Sequence, residues 1–185
     1  MPLAASPRRL RKASQIKALT AVALAVVVTA TLCAGTEVVQ WPQVTSCMTG
    51  KRGFRLRDFS IQDSKVGRYM RVNYTVDVLR VGDRSPVVKF TVHNSIGLRT
   101  PCVDDFGSCT YKACGGTKLT ERMIGAGWNN SCENIPLGSY QSSILLKVIP
   151  AVRLVMGNGT FNIRVEGITE KGRVECVSFD IFIED

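Results

Sequence analysis

Apolar and polar residues alternate along much of the chain after residue 47, with the period of two that is typical of β-strands. The clearest stretch runs from Tyr69 to Val81, and its apolar positions are Met70, Val72, Tyr74, Val76 and Val78. The same alternation occurs at 88–92, 161–165 and 177–183. An earlier stretch from Phe54 to Ile61 changes phase near Asp58, as a β-bulge would cause.

Turn signals separate these stretches, and no sustained helical stripe lies between them. Examples are Gly157-Asn-Gly159 and Lys171-Gly172. Strands spaced by turns predict an all-β, immunoglobulin-like sandwich of two antiparallel sheets. A short helical turn is predicted from Lys118 to Ile124. Alternation alone favours a filled core, but it does not distinguish a filled core from one that parts around a ligand.

The first 35 residues predict a secretory signal peptide. A basic region ending at Lys17 precedes the apolar run Ala18–Ala34, and the small residues Cys33, Ala34 and Gly35 offer a cleavage site. Residues 36–185 then form a single mature domain. An uncleaved signal anchor is the alternative, because the run is close to the length that spans a bilayer.

The mature chain keeps six cysteines, an even number that predicts three disulfides in an exported protein. A zinc site is not expected, because there is no CxxC pair and the single histidine, His93, lies far from the cysteine cluster in sequence. Three N-glycosylation sequons, at Asn73, Asn129 and Asn158, agree with export. Together these features predict passage through the secretory pathway.

The net charge of +9 comes mostly from the amino-terminal region. Beyond residue 35 there are 19 Lys and Arg against 15 Asp and Glu. This mild excess accompanies no nucleic-acid-binding motif, so a nucleic-acid partner is not expected. A local basic cluster of Lys51, Arg52, Arg55 and Arg57 is a solvated face or a site of attraction for anionic lipid.

The residues offer no catalytic constellation. His93 is predicted on an exposed strand face, no GxSxG elbow occurs, and Asp104-Asp105 is a turn rather than a carboxylate pair. We therefore expect no enzyme activity, no cofactor and no metal.

The segment TPCVDDFGSCTYKAC, Thr100 to Cys114, resembles the ML lipid-recognition family, and within it the ganglioside-activator branch. Cys132 followed by IPLGSYQ, and the stretch from Gly159 to Val177, are similar to later segments of that branch. The resemblance implies the disulfides Cys47–Cys176, Cys102–Cys109 and Cys114–Cys132. The branch has a fourth disulfide, for which this chain lacks the cysteines, so a looser region is expected from Gly115 to Ser131.

The resemblance also implies a β-cup, whose two sheets part at one end around an apolar cavity for lipid chains. This reverses the expectation of a filled core. The inward positions that would line the cavity are Val72, Tyr74, Val76, Phe90, Val92, Leu146, Phe161, Ile163, Phe179 and Ile181.

In the family, apolar loops at the mouth of the cup touch the membrane. The matching positions here are Ile96, Leu98, Leu154, Val155 and Met156. They lack the branch's tryptophans, for which Trp128 is a candidate replacement. The Cys102–Cys109 loop follows Ile96–Leu98 directly, so we expect it to brace the mouth.

These features predict a secreted or lysosomal lipid-binding and transfer protein for a glycosphingolipid, phospholipid or sterol, in transient contact with a membrane. One version presents glycolipid to a hexosaminidase-type glycosidase as a non-enzymatic activator. The alternatives are an extracellular lipid sensor in defence, and a solid-core adhesion or receptor-binding sandwich.

Overall fold

The strands dominate the computed structural model, which describes residues 38–80, 86–132 and 135–185. Within these ranges the strands are β1 (Val39–Gln40), β2 (Thr45–Ser46), β3 (Phe54–Gln62), β4 (Tyr69–Val78), β5 (Val87–Asn94), β6 (Thr110–Lys112), β7 (Gly138–Lys147), β8 (Thr160–Thr169) and β9 (Gly172–Phe182). The helix α1 spans Leu119–Ile124, and 3-10 turns span Gly125–Trp128 and Pro150–Leu154. The predicted signal peptide lies outside the described residues.

The strands form two sheets, with the orders β1-β3-β4-β7 and β2-β9-β8-β5-β6. Within each sheet, every pair of neighbouring strands is antiparallel. The predicted all-β fold of two antiparallel sheets with three disulfides is therefore confirmed. Among the described residues no helix has the length and apolar composition needed to cross a membrane.

The long strands follow the predicted alternation. On β4, Met70 and Tyr74 are buried on the inward face, whereas Arg71 is exposed on the outward face. The phase change near Asp58 is a register shift between Arg57 and Ser60 in the β3–β4 pair, where Asp58 has a φ of 51°. This is the predicted bulge.

The β7 strand is less evident in the sequence, although it pairs with β4 over its whole length. A polar residue, Ser142, stands on the same face as its neighbour Tyr74, and the apolar Leu145 is exposed on the other face. These two positions break the alternation, so the sequence indicated only Leu146 of this strand.

Three disulfides join Cys47 to Cys176, Cys102 to Cys109, and Cys114 to Cys132. This is the pairing that the family resemblance implies. The first closes one side of the sandwich, where β2 lies against β9 and the Cys47 N–H donates to the Cys176 carbonyl at 2.9 Å.

The opposite side is covered by the cysteine-rich segment and the residues that follow it. The Ser142 hydroxyl on β7 donates to the carbonyl of Met123 in α1 at 2.8 Å. The Trp128 indole N–H donates to the Ala113 carbonyl at 3.0 Å, and its ring packs edge-on against Tyr140 with 5.7 Å between centroids. This segment therefore forms a side wall between the sheet edges β7 and β6.

Candidate functional site

An apolar cavity of about 160 Å³ lies between the two sheets. Its lining is almost entirely aliphatic and aromatic, and it draws on β3, β4 and β7 from one sheet and β5, β8 and β9 from the other. A void of this kind stays dry and accepts an apolar guest, since an engineered cavity of roughly 150 Å³ lined by such residues binds benzene.

All ten residues proposed from the sequence as cavity-lining do line this space. They are Val72, Tyr74, Val76, Phe90, Val92, Leu146, Phe161, Ile163, Phe179 and Ile181. Contact of each with a lipid remains a prediction.

Two groups among the further lining residues show what the sequence could and could not identify. Phe54, Leu56, Phe59 and Ile61 belong to β3, and the alternation on either side of the bulge could have identified them. Tyr111, Thr120, Ile124 and Trp128 come from the side wall, where no strand alternation signals which side chains face inward. Trp128 was a candidate for a membrane-facing loop, but its half-buried ring points into the protein instead.

The two ends of the sandwich can be distinguished by hydrogen bonds that join the sheets. At one end, which we call the Gly167 end, the Gly53 N–H donates to the Val174 carbonyl at 2.8 Å. At the other, which we call the Val148 end, the Val66 N–H donates to the Glu184 carbonyl at 2.8 Å. The strands β4 and β9 both run their full length between these ends.

The lining is more deeply buried toward the Val148 end than toward the Gly167 end. Val148, Phe161 and Ile183 are completely buried, and Val152 from the 3-10 turn packs beside them. By contrast, the lining residues nearer the Gly167 end retain partial exposure; these are Phe54, Leu56, Val76, Val88 and Val165. Half-buried lining residues are therefore more frequent toward the Gly167 end, although Leu146, near Val148, is also half-buried.

The loops proposed to face a membrane lie at the Val148 end. Ile96, Leu98 and Leu154 are 74%, 61% and 88% exposed, whereas Val155 and Met156 are half-buried. Asn94 joins the two loops: its Nδ2 donates to the Val155 carbonyl at 2.8 Å, and its Oδ1 accepts from the N–H groups of Ile96 and Leu98 at 3.2 and 2.9 Å.

That these loops flank the mouth of a cup remains a prediction. The loops follow the end of β5 and precede the start of β8, both at the end where the core is packed solid. The Cys102–Cys109 loop lies along the outer edge of β5, where the Ser108 hydroxyl accepts from the Val92 N–H at 3.0 Å. That this loop braces the mouth remains a prediction. Contact of the exposed loop residues with a membrane remains a prediction.

The lining contains a few polar groups. Thr120 donates through its hydroxyl to Asp105 Oδ2 at 3.1 Å, and the Tyr111 hydroxyl donates to the Asp105 carbonyl at 3.0 Å. Burial, together with the nearby Asp105, raises the pKa of Tyr111 far above its ordinary value, so it remains a neutral donor. Glu175, near the Gly167 end, is another polar residue of the lining.

The remaining candidate residues lie away from the cavity. His93 is half-buried on the outward face of β5, and the described ranges contain no cluster of His, Cys, Asp or Glu that could hold a metal ion. Asn129 and Asn158 are exposed, and Asn73 is half-buried on the outward face of β4. Glycosylation at these three sites remains a prediction.

No family model and no curated protein matches the chain. Among solved structures it is similar to a Niemann-Pick type C2 protein from the Japanese carpenter ant, at 14% identity and a TM-score of 0.49, over 77% of this chain and 99% of that one. It is also similar to the C-terminal domain of wzt, at 11% identity and a TM-score of 0.43, over 81% of this chain and 79% of that one. Neither TM-score reaches 0.5, so these similarities establish neither a family nor a function.

Proposed function

We propose that the chain is a lipid-binding and lipid-transfer protein that holds the apolar part of a lipid between its two sheets. The observation that carries this proposal is the apolar cavity, to which both sheets contribute. Each CH₂ group moved from water into such a cavity gains about 0.8 kcal/mol. Because this gain is comparable to burial in a bilayer, uptake and return of a lipid are near balance, as a carrier requires.

The size of the cavity constrains how the lipid binds. At about 160 Å³ it takes a ring or a short length of one chain without rearrangement. Longer or multiple chains require the sheets to separate. The partly exposed lining near the Gly167 end is where such separation breaks the fewest buried contacts.

Two finer proposals follow from the resemblance of the cysteine-rich segment to the ML family. In the first, the protein is secreted or lysosomal and presents glycolipid to a hexosaminidase-type glycosidase without catalysing the cleavage itself. In the second, it is an extracellular lipid sensor in defence. The three disulfides support both, because disulfides persist in oxidising compartments. The cavity favours both of these lipid-binding proposals over an adhesion or receptor-binding sandwich with a solid core.

Transfer of a fluorescent lipid between vesicles tests the carrier proposal. A substitution at Val165 tests whether the cavity holds the lipid. Val165 is half-buried in the lining, so Val165→Trp fills space that the lipid would occupy. We expect transfer to slow at least tenfold. The control Gln141→Trp adds the same ring to the exposed outward face of β7 and should transfer lipid at the original rate.

Circular dichroism checks that both variants fold, since overpacking costs about 1–3 kcal/mol. Unchanged transfer by a folded Val165→Trp, or no transfer and no co-purifying lipid with the original protein, contradicts the proposal. A hexosaminidase added to glycolipid-bearing vesicles distinguishes the finer proposals: cleavage only when the protein is present supports the activator.

A further inference from the structure

Glu175 is a carboxylate within an otherwise apolar stretch of the cavity wall. It stands on the inward face of β9, two residues before Val177 and four before Phe179, and is 7% exposed. An acid at such a position is unusual, because carboxylates are rarely buried without a partner.

The two carboxylate oxygens of Glu175 differ in their surroundings. Oε1 accepts a hydrogen bond from the Cys176 N–H at 3.1 Å and lies 3.9 Å from the Arg52 Nε. Oε2 is buried and has no hydrogen-bond partner among the residues that the structure describes. Leaving such an oxygen without a donor is costly, so its retention at this position requires an explanation.

The residue opposite Glu175 has no side chain. Gly167 is its cross-strand partner on β8, and the ladder shifts register directly after it. A Cβ at position 167 would stand 3.4 Å from the Glu175 Cβ. Gly167 and Glu175 both line the cavity, and no side chain from position 167 stands between the carboxylate and the cavity.

The electrostatic surroundings favour a neutral donor rather than a second anion. Burial raises the pKa of Glu175, whereas the Cys176 N–H and the charges of Arg52 and Arg55 act in the opposite direction. A ligand carboxylate would bring a second negative charge to a poorly solvated site, which is unfavourable. An uncharged O–H or N–H group would instead complete the hydrogen bonding of Oε2.

We propose that Glu175 Oε2 accepts a hydrogen bond from the polar end of the bound lipid, so that the cavity selects lipids bearing a hydroxyl or amide donor. The inference rests on the proposed lipid-binding function and adds the class of head group. The lipid then enters with its apolar end directed toward Val148 and Phe161, and its donor group stays near Glu175 and Gly167.

The test compares two isomeric probes, hexadecanol and pentadecyl methyl ether, which have the same atoms and differ in whether the oxygen carries a hydrogen to donate. Binding is measured by displacement of a fluorescent lipid from the full-length protein at neutral pH. We expect the alcohol to bind about tenfold more tightly than the ether, as a hydrogen bond to a charged acceptor provides. Glu175→Met should bring this ratio close to one. Glu175→Gln, which keeps an acceptor but loses its charge, should retain a smaller preference for the alcohol.

Glu170→Met is the matched control, because Glu170 is exposed in the β8–β9 turn and should leave the ratio unchanged. An equal affinity of the original protein for both probes overturns the inference, as does a preference that survives in Glu175→Met. Tighter binding of hexadecanoic acid than of the alcohol also overturns it. If neither probe binds the original protein, the proposed function itself fails.

Should Glu175→Met fail to fold, the original protein and Glu175→Gln still decide the question. An alcohol-to-ether ratio near one in the original protein contradicts the inference without any variant. A preference for the alcohol in both the original protein and Glu175→Gln supports the inference.

Discussion

Glu121 is a buried carboxylate whose contacts are structural. Its Oε1 accepts from the Lys112 N–H, and its Oε2 accepts from the N–H groups of Thr117 and Lys118, all at 3.1 Å. It therefore ties the end of β6 to the start of α1. Burial alone would raise the pKa of Glu121, but the N–H groups of Lys112, Lys118 and Thr117 outweigh it, so the pKa lies below its ordinary value.

This lowered pKa predicts a pH-dependent contribution to stability. A carboxylate whose pKa is lowered by folding stabilises the protein above its unfolded pKa, and the stabilisation is lost as pH falls through the folded pKa. Glu121→Gln should therefore lower the free energy of unfolding by about 1–3 kcal/mol at neutral pH. The difference should shrink in acid.

Urea unfolding across a pH series measures this effect, with Glu170→Gln as the exposed control. A difference between Glu121→Gln and the original protein that stays constant down to strongly acidic pH would refute the assignment.

The residues that could and could not be predicted differ in their local pattern. Phe179 and Ile181 stand in an uninterrupted alternation, so their inward direction is evident from the sequence. Glu175 continues the same alternation toward the amino terminus, yet its charge argues against a place in an apolar wall. Tyr111 could not be assigned, because three residues of β6 are too few to establish a period.

At the level of elements, the side wall is held by one disulfide that closes a short loop. Cys114–Cys132 closes a loop with a sequence separation of 18 that contains α1 and the 3-10 turn ending at Trp128. The sequence predicted the helical turn here, but its packing against β7 depends on contacts such as Ser142 to Met123, which join residues distant along the chain.

Removing this disulfide should loosen the side wall. In the chain-entropy model a loop of about 15 residues contributes about 3 kcal/mol, so Cys114→Ala with Cys132→Ala should lose roughly 2–4 kcal/mol of stability. Amide hydrogen exchange should accelerate from 115 to 131 more than in β8 and β9. The matched double variant at Cys102 and Cys109, whose separation is 7, should lose less. Equal exchange in the wall and the sheets would contradict this account.

Over the whole molecule, a core with a void gives up contacts that a filled core would make. The sequence identified the faces that meet there, because the alternation gives the inward direction. It did not identify which end is more deeply buried, because that depends on how the turn containing Val152 packs against Phe161 and Ile183. Such packing has no local signature.

A bound lipid should restore the missing contacts and raise the thermal stability. Ligand at a hundredfold excess over Kd stabilises the folded state by about 2.7 kcal/mol, which corresponds to a rise in Tm of about 5–10 °C for a domain of this size. Calorimetry of delipidated and lipid-loaded protein measures the rise. Val165→Trp should show little of it, and an equal rise in that variant would place the lipid outside the cavity.

The disulfides also determine what happens when the backbone is cut. Cys47 and Cys176 are 129 residues apart, and both shorter disulfides lie inside that interval. The chain from Cys47, directly after β2, to Cys176 in β9 is thus one large covalent ring with two small rings within it. A single proteolytic cut anywhere between residues 47 and 176 opens a ring but releases no fragment. Both sheets stay joined in one molecule, so a nicked protein can keep its cavity in a compartment rich in proteases.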